Sequence, residues 1–182
     1  MGGAISIREA ERDKLIDDVE TRPTISADGI VNGKLSYIND IKSALVLFAL
    51  GVKYERGVDE PVDIALAASC YRKAAERGHS EAQFKLGEMY FLGRGVENDN
   101  VQAFRWYREA AKQGSPHAQF NLGCMHFEGM GVVKDWGSAM KWFELSASQG
   151  HEKAANALAF MSASTEDKQI RIHSSFSVAH EF

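Results

Sequence analysis

Residues 82–117 read AQFKLGEMYFLGRGVENDNVQAFRWYREAAKQGSPH, and residues 118–153 follow without a gap as AQFNLGCMHFEGMGVVKDWGSAMKWFELSASQGHEK. The two stretches share 16 identical residues in 36, whereas chance alone gives about two. Residues 46–81 carry a weaker copy, and residues 154–161 begin a further one. A period of this length is typical of stacked supersecondary units, so the sequence predicts a short array of repeats.

The first half of each repeat predicts a helix. In the second repeat, Ala82, Leu86 and Met89 are spaced four and three residues apart, which places them on one face of a helix. A glycine follows this leucine position in every repeat, at Gly51, Gly87 and Gly123. Because glycine costs about 1 kcal/mol inside a helix, we expect each of these glycines to lie where a neighbouring helix approaches closely.

The second half of each repeat predicts a turn and a second helix. Gly93 is expected to end the first helix, and Gly95 to supply the positive φ of the turn, where a side chain is disfavoured. An aspartate recurs just before the second apolar run, at Asp63, Asp99 and Asp135. A carboxylate at this place can accept N–H groups of the first helical turn, so these residues are predicted to be helix N-caps.

The flanking segments are predicted from caps and turn residues. Residues 6–9 form a capping box that predicts a helix to about Glu20, and the turn pairs in residues 21–34 predict a linker loop. A second helix is expected to start at Ser36 and to run into the first repeat, with an apolar face formed by Leu35, Ile38, Ile41 and Leu45. After residue 161, alternating apolar residues indicate an extended segment: Ile170, Ile172, Phe176 and Val178.

The predicted organisation has three parts. An N-terminal helix and linker occupy residues 1–34, a repeat solenoid occupies residues 35–161, and a tail occupies residues 162–182. The repeats within the solenoid are 46–81, 82–117, 118–153 and a partial repeat at 154–161.

Composition and charge disfavour several classes of protein. The chain has 182 residues and a net charge of −4, from 21 basic and 25 acidic residues. It therefore offers no positive field to a phosphate backbone, and we expect no nucleic-acid partner. The longest apolar run, residues 44–52, is too short to span a membrane. The first residues do not read as a secretory signal, which favours an intracellular and most simply cytoplasmic location, with a mitochondrial or membrane-associated complex as the alternative.

The motifs that would indicate catalysis or metal binding are missing from the sequence. Cys70 and Cys124 lie a whole predicted hairpin apart, so we expect two thiols and no disulfide between them. The six histidines show no zinc-ligand spacing. Residues 93–96, GRGV, lack the Lys-Ser/Thr of a phosphate-binding loop and are interpreted as a turn. We therefore expect no cofactor, no metal site and no enzymatic activity.

The repeated pattern resembles a known family. A-x-x-x-L-G-x-x-Y-x-x-G-x-G-V-x-x-D, followed by A-x-x-W-Y-x-x-A-A-x-x-G, is closely similar to the Sel-one-like repeat, a relative of the tetratricopeptide repeat. The resemblance covers residues 46–161, although His126 stands where the family has tyrosine and Asp59 where it has glycine. It implies an all-α fold: a right-handed α-solenoid of stacked antiparallel helix hairpins with a helical N-terminal cap. It also implies a concave surface, lined by the first helices, that binds proteins without catalysis.

Three functions stay open at this point. The first is a non-catalytic protein-interaction scaffold, as a subunit or assembly adaptor of a larger multi-subunit complex. The second is a membrane-tethered signalling adaptor, because residues 1–6, MGGAIS, fit a myristoylation pattern with Gly2 as acceptor. A helix N-cap at Ser6 explains the same residues, and membrane contact is expected only through an acylated Gly2 or through a partner. The third, a hydrolase of the kind attributed to some cysteine-rich relatives, is disfavoured by the missing cysteine pairs.

The resemblance also predicts where a partner binds. In the tetratricopeptide architecture, the groove is lined by first-helix positions that flank the buried Leu-Gly and tyrosine. Carried over by spacing, these positions are Val52 and Glu55 in the first repeat, Glu88, Phe91 and Leu92 in the second, and Cys124, Phe127 and Glu128 in the third. Aromatic side chains among carboxylates suit a partner segment with apolar and basic residues. The alternative is that they pack against other parts of the chain.

Overall fold

A computed structural model of the protein describes residues 32–58 and 61–163, with side chains from residue 41 onward. Its helices are α1 (Asn32–Arg56), α2 (Ile64–Glu76), α3 (Ser80–Leu92), α4 (Asn100–Lys112), α5 (Pro116–Glu128), α6 (Trp136–Ala147) and α7 (residues 152–163). Within these two ranges the structure contains no strand, which confirms the predicted all-α class. The predictions for residues 1–31, including Gly2 and the helix to Glu20, and those for Asp59 and residues 164–182 lie outside the described residues.

The predicted N-caps are confirmed. Asp63 Oδ1 accepts the backbone N–H of Leu66 at 2.9 Å, and Asp135 Oδ1 accepts that of Gly137 at 3.0 Å. Asp99 Oδ1 accepts two N–H groups of the first turn of α4, at 2.9 and 3.0 Å. The second helix of every repeat therefore begins where the recurring aspartate predicts it, because the carboxylate satisfies donors that have no partner within the helix.

The predicted turn glycines are confirmed as well. Gly93 ends α3 in the left-handed conformation, with φ of 67°, and Gly95 has φ of 71°. At Gly95 a Cβ would also collide with the backbone carbonyl of Ile64. This position thus excludes a side chain for two reasons, its backbone conformation and the close passage of α2.

The start and the register of the predicted cap helix are wrong. α1 begins at Asn32, so the last three residues of the predicted linker are helical; asparagine and glycine suit a helix start, where backbone donors lack helical acceptors in any case. Ile41 and Leu45, predicted as its apolar face, are 47% and 57% exposed. The buried face runs instead through Ala44 and Leu47, because the glycine at residue 51 lies on that side of the helix.

The described chain divides into two compact units, the first ending at Trp106 and the second beginning at Tyr107. In the first unit, the phenol ring of Tyr71 in α2 packs against Gly51 in α1, where a Cβ would lie 2.6 Å from the ring. In the second unit, Phe143 in α6 packs against Gly123 in α5, where a Cβ would lie 2.5 Å from the ring. The predicted close approach at the recurring glycine is thus confirmed at both positions.

Candidate partner-binding cavity

An apolar cavity of about 510 Å³ lies within the second unit, between α5 and α7. α5 contributes side chains spaced four, three and one residue apart, which is one helical face: Phe120, Cys124, Phe127 and Glu128. α7 contributes the matching face: Lys153, Asn156, Ala157, Phe160 and Met161. Phe143 of α6 completes the lining. The pocket is therefore formed by α5 and α7, which are the first helices of successive repeats, and by α6, which joins them.

Three of the predicted partner-binding residues meet in this cavity. Cys124, Phe127 and Glu128, predicted for the third repeat, all line it. They come together because they lie on one side of α5, across the cavity from α7. Besides Cys124, the cavity is lined by six apolar or aromatic side chains, and its two charged residues are Glu128 and Lys153.

The ring of Phe127 is held in place from outside the cavity. It stacks on Trp136, with ring centroids 5.4 Å apart and an angle of 30° between the planes. The ammonium nitrogen of Lys134 lies 5.6 Å from the centroid of the same ring. A fixed aromatic ring loses little conformational entropy when a ligand packs on it, so Phe127 is suited to serve as an anchor.

Phe120 is held by two neighbours, Phe143 with ring centroids 5.7 Å apart and His151 at 4.8 Å. His151 Nδ1 accepts the backbone N–H of Ala154 at 3.3 Å, which caps α7, and His151 Nε2 lies 3.2 Å from His117 Nδ1. Partial burial, then the positive charges that His117 and Lys153 carry when protonated, lower the pKa of His151. This histidine therefore stays neutral at pH 7 and positions both Phe120 and the start of α7.

The Cys124 thiol is part of the wall and is not activated for chemistry. Burial, and then the Glu128 carboxylate, raise the pKa of this thiol above its ordinary value. Burial also raises the pKa of Cys70 in the first unit, to about 11. Both thiols are therefore protonated at neutral pH, which disfavours a nucleophilic role, and neither takes part in a disulfide.

The two charges of the cavity lie at opposite ends. The contact between His117 and His151 brings together the N-terminal ends of α5 and α7, so the two helices run side by side in the same direction. Lys153 is in the first turn of α7, whereas Glu128 is the last residue of α5. The cavity thus has a positive end and a negative end. Lys153 is equivalent in the repeat to position 117, eleven residues before Glu128, so the two ends are roughly 16 Å apart at 1.5 Å per helical residue.

Val52 and Glu55, the residues of the first repeat that were predicted to bind a partner, make contacts within the first unit. Val52 is partly buried against the core cluster. The Glu55 carboxylate accepts the Tyr71 hydroxyl at 2.7 Å and lies 3.9 Å from the Arg94 guanidinium. Burial, and then this hydrogen bond, raise the pKa of Tyr71. Glu55 thus ties α1 to α2, a role that its position in the repeat does not reveal.

The predicted residues of the second repeat do not line the apolar cavity. The Glu88 carboxylate lies 3.2 Å from the Lys85 ammonium one turn earlier. Phe91 is partly buried, whereas Leu92 is 58% exposed. Of the predicted set, the third-repeat members are the ones that line this cavity.

Sequence reasoning missed Phe160, although the repeat period gives a signal for it. Phe160 stands 36 residues after Cys124, 72 after Glu88 and 108 after Val52, so it occupies the same first-helix position as three predicted residues. Treating residues 154–161 as a fragment hid this equivalence. Sequence reasoning also missed a polar cavity of about 770 Å³ in the first unit, where the Arg72 guanidinium donates to the Tyr90 hydroxyl at 3.0 Å.

Two absences apply to the described residues only. In residues 32–58 and 61–163, no group of three or more His, Cys, Asp or Glu side chains is arranged to hold a metal ion. Over the same part of the chain, no helix is both long and apolar enough to cross a membrane.

Comparison with known proteins gives a family and structural neighbours. The family model of the Sel1 repeat matches three consecutive segments, residues 44–79, 80–115 and 116–151. These segments have the predicted length of 36 residues and begin two residues before the predicted repeats. A Sel1 repeat protein from Oxalobacter formigenes has a similar crystal structure, with 37% sequence identity and a TM-score of 0.62 over 70% of this chain and 97% of that one.

Two further solved structures are similar. The protein c5321, a protective antigen of uropathogenic Escherichia coli strains with an SLR fold, shows 30% identity and a TM-score of 0.64 over 85% of this chain. The match spans 34% of the length of c5321. Cysteine rich protein B of Helicobacter pylori shows the same fold at 23% identity, with a TM-score of 0.54 over 69% of this chain and 96% of that one.

No protein of curated function matches the chain. The matched repeats and the structural neighbours confirm the predicted repeat solenoid of the tetratricopeptide-like class. Sel1 repeats generally serve as protein-interaction scaffolds. With three matched repeats that together span 108 of its 182 residues, this chain belongs to the Sel1 repeat family.

Proposed function

We propose that this protein is a non-catalytic protein-interaction scaffold whose partner binds in the cavity between α5 and α7. The observation that carries this proposal is the convergence of Cys124, Phe127 and Phe160 on one open apolar pocket. A cavity of about 510 Å³ falls in the size range of ligand sites, which are mostly apolar with a few charged groups that fix orientation.

The lining suits a segment of another protein better than a soluble metabolite. Its charged groups lie near the ends of two helices, and the walls between them are phenylalanine, alanine and methionine side chains with Asn156. Binding energy at such surfaces is concentrated in a few aromatic anchors that bury partner side chains. A partner segment with apolar side chains, a basic residue towards Glu128 and an acidic residue towards Lys153 would match this arrangement.

As in the predicted adaptor role, the scaffold would hold a subunit of a larger complex through this segment. Phe160 is the most accessible wall, with 66% of its surface exposed, so a substitution there changes the cavity without removing a core residue. Leu145 in α6 offers a matched control, because it is exposed, apolar and outside the cavity lining.

The test is co-purification followed by a direct binding measurement. Proteins retained by tagged wild type and by Leu145→Glu but lost with Phe160→Glu are candidate partners. The partner is then purified, and its dissociation constant is measured by calorimetry with the three full-length chains. We expect Phe160→Glu to weaken binding at least tenfold, about 1.4 kcal/mol, and Leu145→Glu to leave it unchanged. Equal affinity for the three chains would refute the cavity as the binding site.

A further inference from the structure

The apolar cavity opens where the described chain ends. Phe160 and Met161 line it, and the description of α7 ends two residues later, at residue 163. The 19 residues that follow, 164–182, are called the tail segment below. At more than 3 Å per residue, a few residues of this segment are long enough to span the cavity.

The tail segment carries apolar residues in a pattern that fits a groove. Ile170 and Ile172, and then Phe176 and Val178, are separated by one residue each. In an extended chain such residues point to the same side. An extended segment can therefore place a row of apolar side chains against the phenylalanine walls while its alternate residues, mostly serine, arginine and histidine, face water.

Charge complementarity gives the tail segment a direction in the cavity. Glu128 ends α5, so it lies at the same end of the cavity as the last residues of α7. A chain that reverses direction after residue 163 needs about four residues for the turn. Such a turn would hold Glu166 and Asp167 outside the cavity. It would bring Lys168 past Glu128, with Arg171 next along the chain and Ile170 and Ile172 facing the cavity.

We infer that the tail segment occupies this cavity in the isolated protein, with Ile170 and Ile172 packed between Phe127 and Phe160. Covalent connection favours this occupant, because a short link gives a local concentration in the millimolar range. The inference stands on the cavity and on the sequence, and only its consequence rests on the proposed function: a partner segment must displace the tail segment before it binds.

Cys124 provides a probe inside the cavity. The chain has two cysteines, and the other one, Cys70, is fully buried in the first unit. Full-length protein is treated with N-ethylmaleimide at pH 8, and modification of each cysteine is followed by peptide mass spectrometry. The wild type is compared with Ile170→Asp/Ile172→Asp and with the control Ser175→Asp/Ser177→Asp, which adds the same charge on the alternate side of the segment.

We expect Cys124 to react at least about tenfold faster in the Ile170→Asp/Ile172→Asp variant than in the wild type, as for a segment that is docked nine-tenths of the time. The control variant should react like the wild type. Cys70 should stay unmodified in all three, which shows that the first unit remains folded, and equal far-ultraviolet circular dichroism of the three proteins shows the same for the helices of the second unit. The rate in the wild type should not depend on protein concentration, because the occupant belongs to the same chain.

Two results would overturn the inference. Equal Cys124 rates in all three proteins would mean that the tail segment leaves the cavity open to a partner. A wild-type rate that rises on dilution would mean that a second copy of the chain covers the cavity. Neither result bears on the co-purification test with Phe160→Glu, so the proposed function and the occupant can fail separately.

Discussion

The first and third Sel1 repeats, residues 44–79 and 116–151, share a frame of helix caps and interhelical contacts. They differ in the side chains that this frame supports. In both, a phenylalanine of the first helix stacks on a histidine at the end of the repeat: Phe48 on His79 with centroids 4.5 Å apart, and Phe120 on His151 at 4.8 Å. Each histidine also accepts the N–H that begins the next helix, at 3.2 and 3.3 Å. In both repeats, therefore, the same histidine connects the first helix of the repeat to the start of the following helix.

The difference lies at two positions that face each other across the hairpin. The first repeat has Glu55 and Tyr71, joined by a hydrogen bond of 2.7 Å. The third repeat has Phe127 and Phe143 at the equivalent positions, 72 residues later, and both line the apolar cavity. A polar cross-link in one repeat is thus replaced by two phenyl rings in the other.

The helix that follows each repeat shows the same replacement of a polar residue by an apolar one. Glu88 in α3 pairs with Lys85, whereas the residue 72 positions later is Phe160, on the cavity rim. The helical frame accommodates either chemistry because the glycine contacts and the aspartate caps are present in both repeats. The comparison therefore separates residues that make the repeat from residues that line the proposed binding cavity of one repeat.

The largest effect is expected where the two repeats are alike. Gly123→Leu should destabilise the protein by about 3 kcal/mol or more, because the new side chain meets the ring of Phe143. Gly51→Leu should do the same through Tyr71. Urea unfolding followed by circular dichroism measures both.

Gly137→Ala is the control for these substitutions, because the nearest atom to a Cβ there is a carboxylate oxygen 3.4 Å away. The stability of this variant should not fall below that of wild type and should rise by at most about 1 kcal/mol, because alanine favours a helix more than glycine does. If Gly123→Leu unfolds at the same urea concentration as the control, the close approach does not hold the hairpin together.

The shared frame was predictable from the sequence because it is encoded locally and repeated. A glycine after the leucine and an aspartate before the second apolar run each have one strong physical reason to recur. Gly51 and Gly123 accordingly lie under aromatic rings, and Asp63 and Asp135 cap their helices.

The lining of the candidate cavity was only partly predictable, because the repeat spacing identifies a position in the helix and not the side chain that it contacts. Glu55 and Phe127 are equivalent in the repeat and were predicted alike. The hydrogen bond from Tyr71 that engages Glu55 depends on a hydroxyl group 16 residues away. The register of α1 was missed for a similar reason: Ile41 and Leu45 are as apolar as Leu47, and only the packing of α2 on one side of the helix distinguishes them.

An intermediate effect is expected where the repeats differ. Tyr71→Phe removes the donor to the partly buried Glu55 carboxylate and should destabilise the protein by about 1–2 kcal/mol. The double variant Tyr71→Phe/Glu55→Leu imitates the apolar pair of the third repeat. It should recover at least half of that loss, since replacing both partners of a hydrogen bond leaves no unsatisfied group.

Urea unfolding of the two single variants, the double variant and wild type gives the coupling free energy between Glu55 and Tyr71. Strictly additive losses would show that the polar pair contributes nothing to the first repeat. The hydrogen bond would then not explain why this repeat has a glutamate where the third repeat has Phe127.

The smallest effect is expected at the two capping histidines, and it should differ between the repeats. Burial lowers the pKa of His79, and the nearby Glu81 carboxylate opposes that shift. Burial also lowers the pKa of His151, but there the positive charges of His117 and Lys153 act in the same direction. A histidine with a lowered pKa in the folded state binds fewer protons than in the unfolded state. Stability should therefore fall as the pH drops through the unfolded value of about 6.5 towards the folded one.

The loss should be less than about 1 kcal/mol at each site, because both rings are partly exposed and solvent screens their charges. Unfolding free energies are measured at pH 7.5 and 5.5 for wild type, His79→Asn and His151→Asn. Asparagine keeps a capping acceptor but does not titrate, so each substitution should remove part of the pH dependence. We expect the larger reduction from His151→Asn, since no carboxylate is among the groups that shift the pKa of His151. A larger reduction from His79→Asn would show that the like charges around His151 do not distinguish the two repeats.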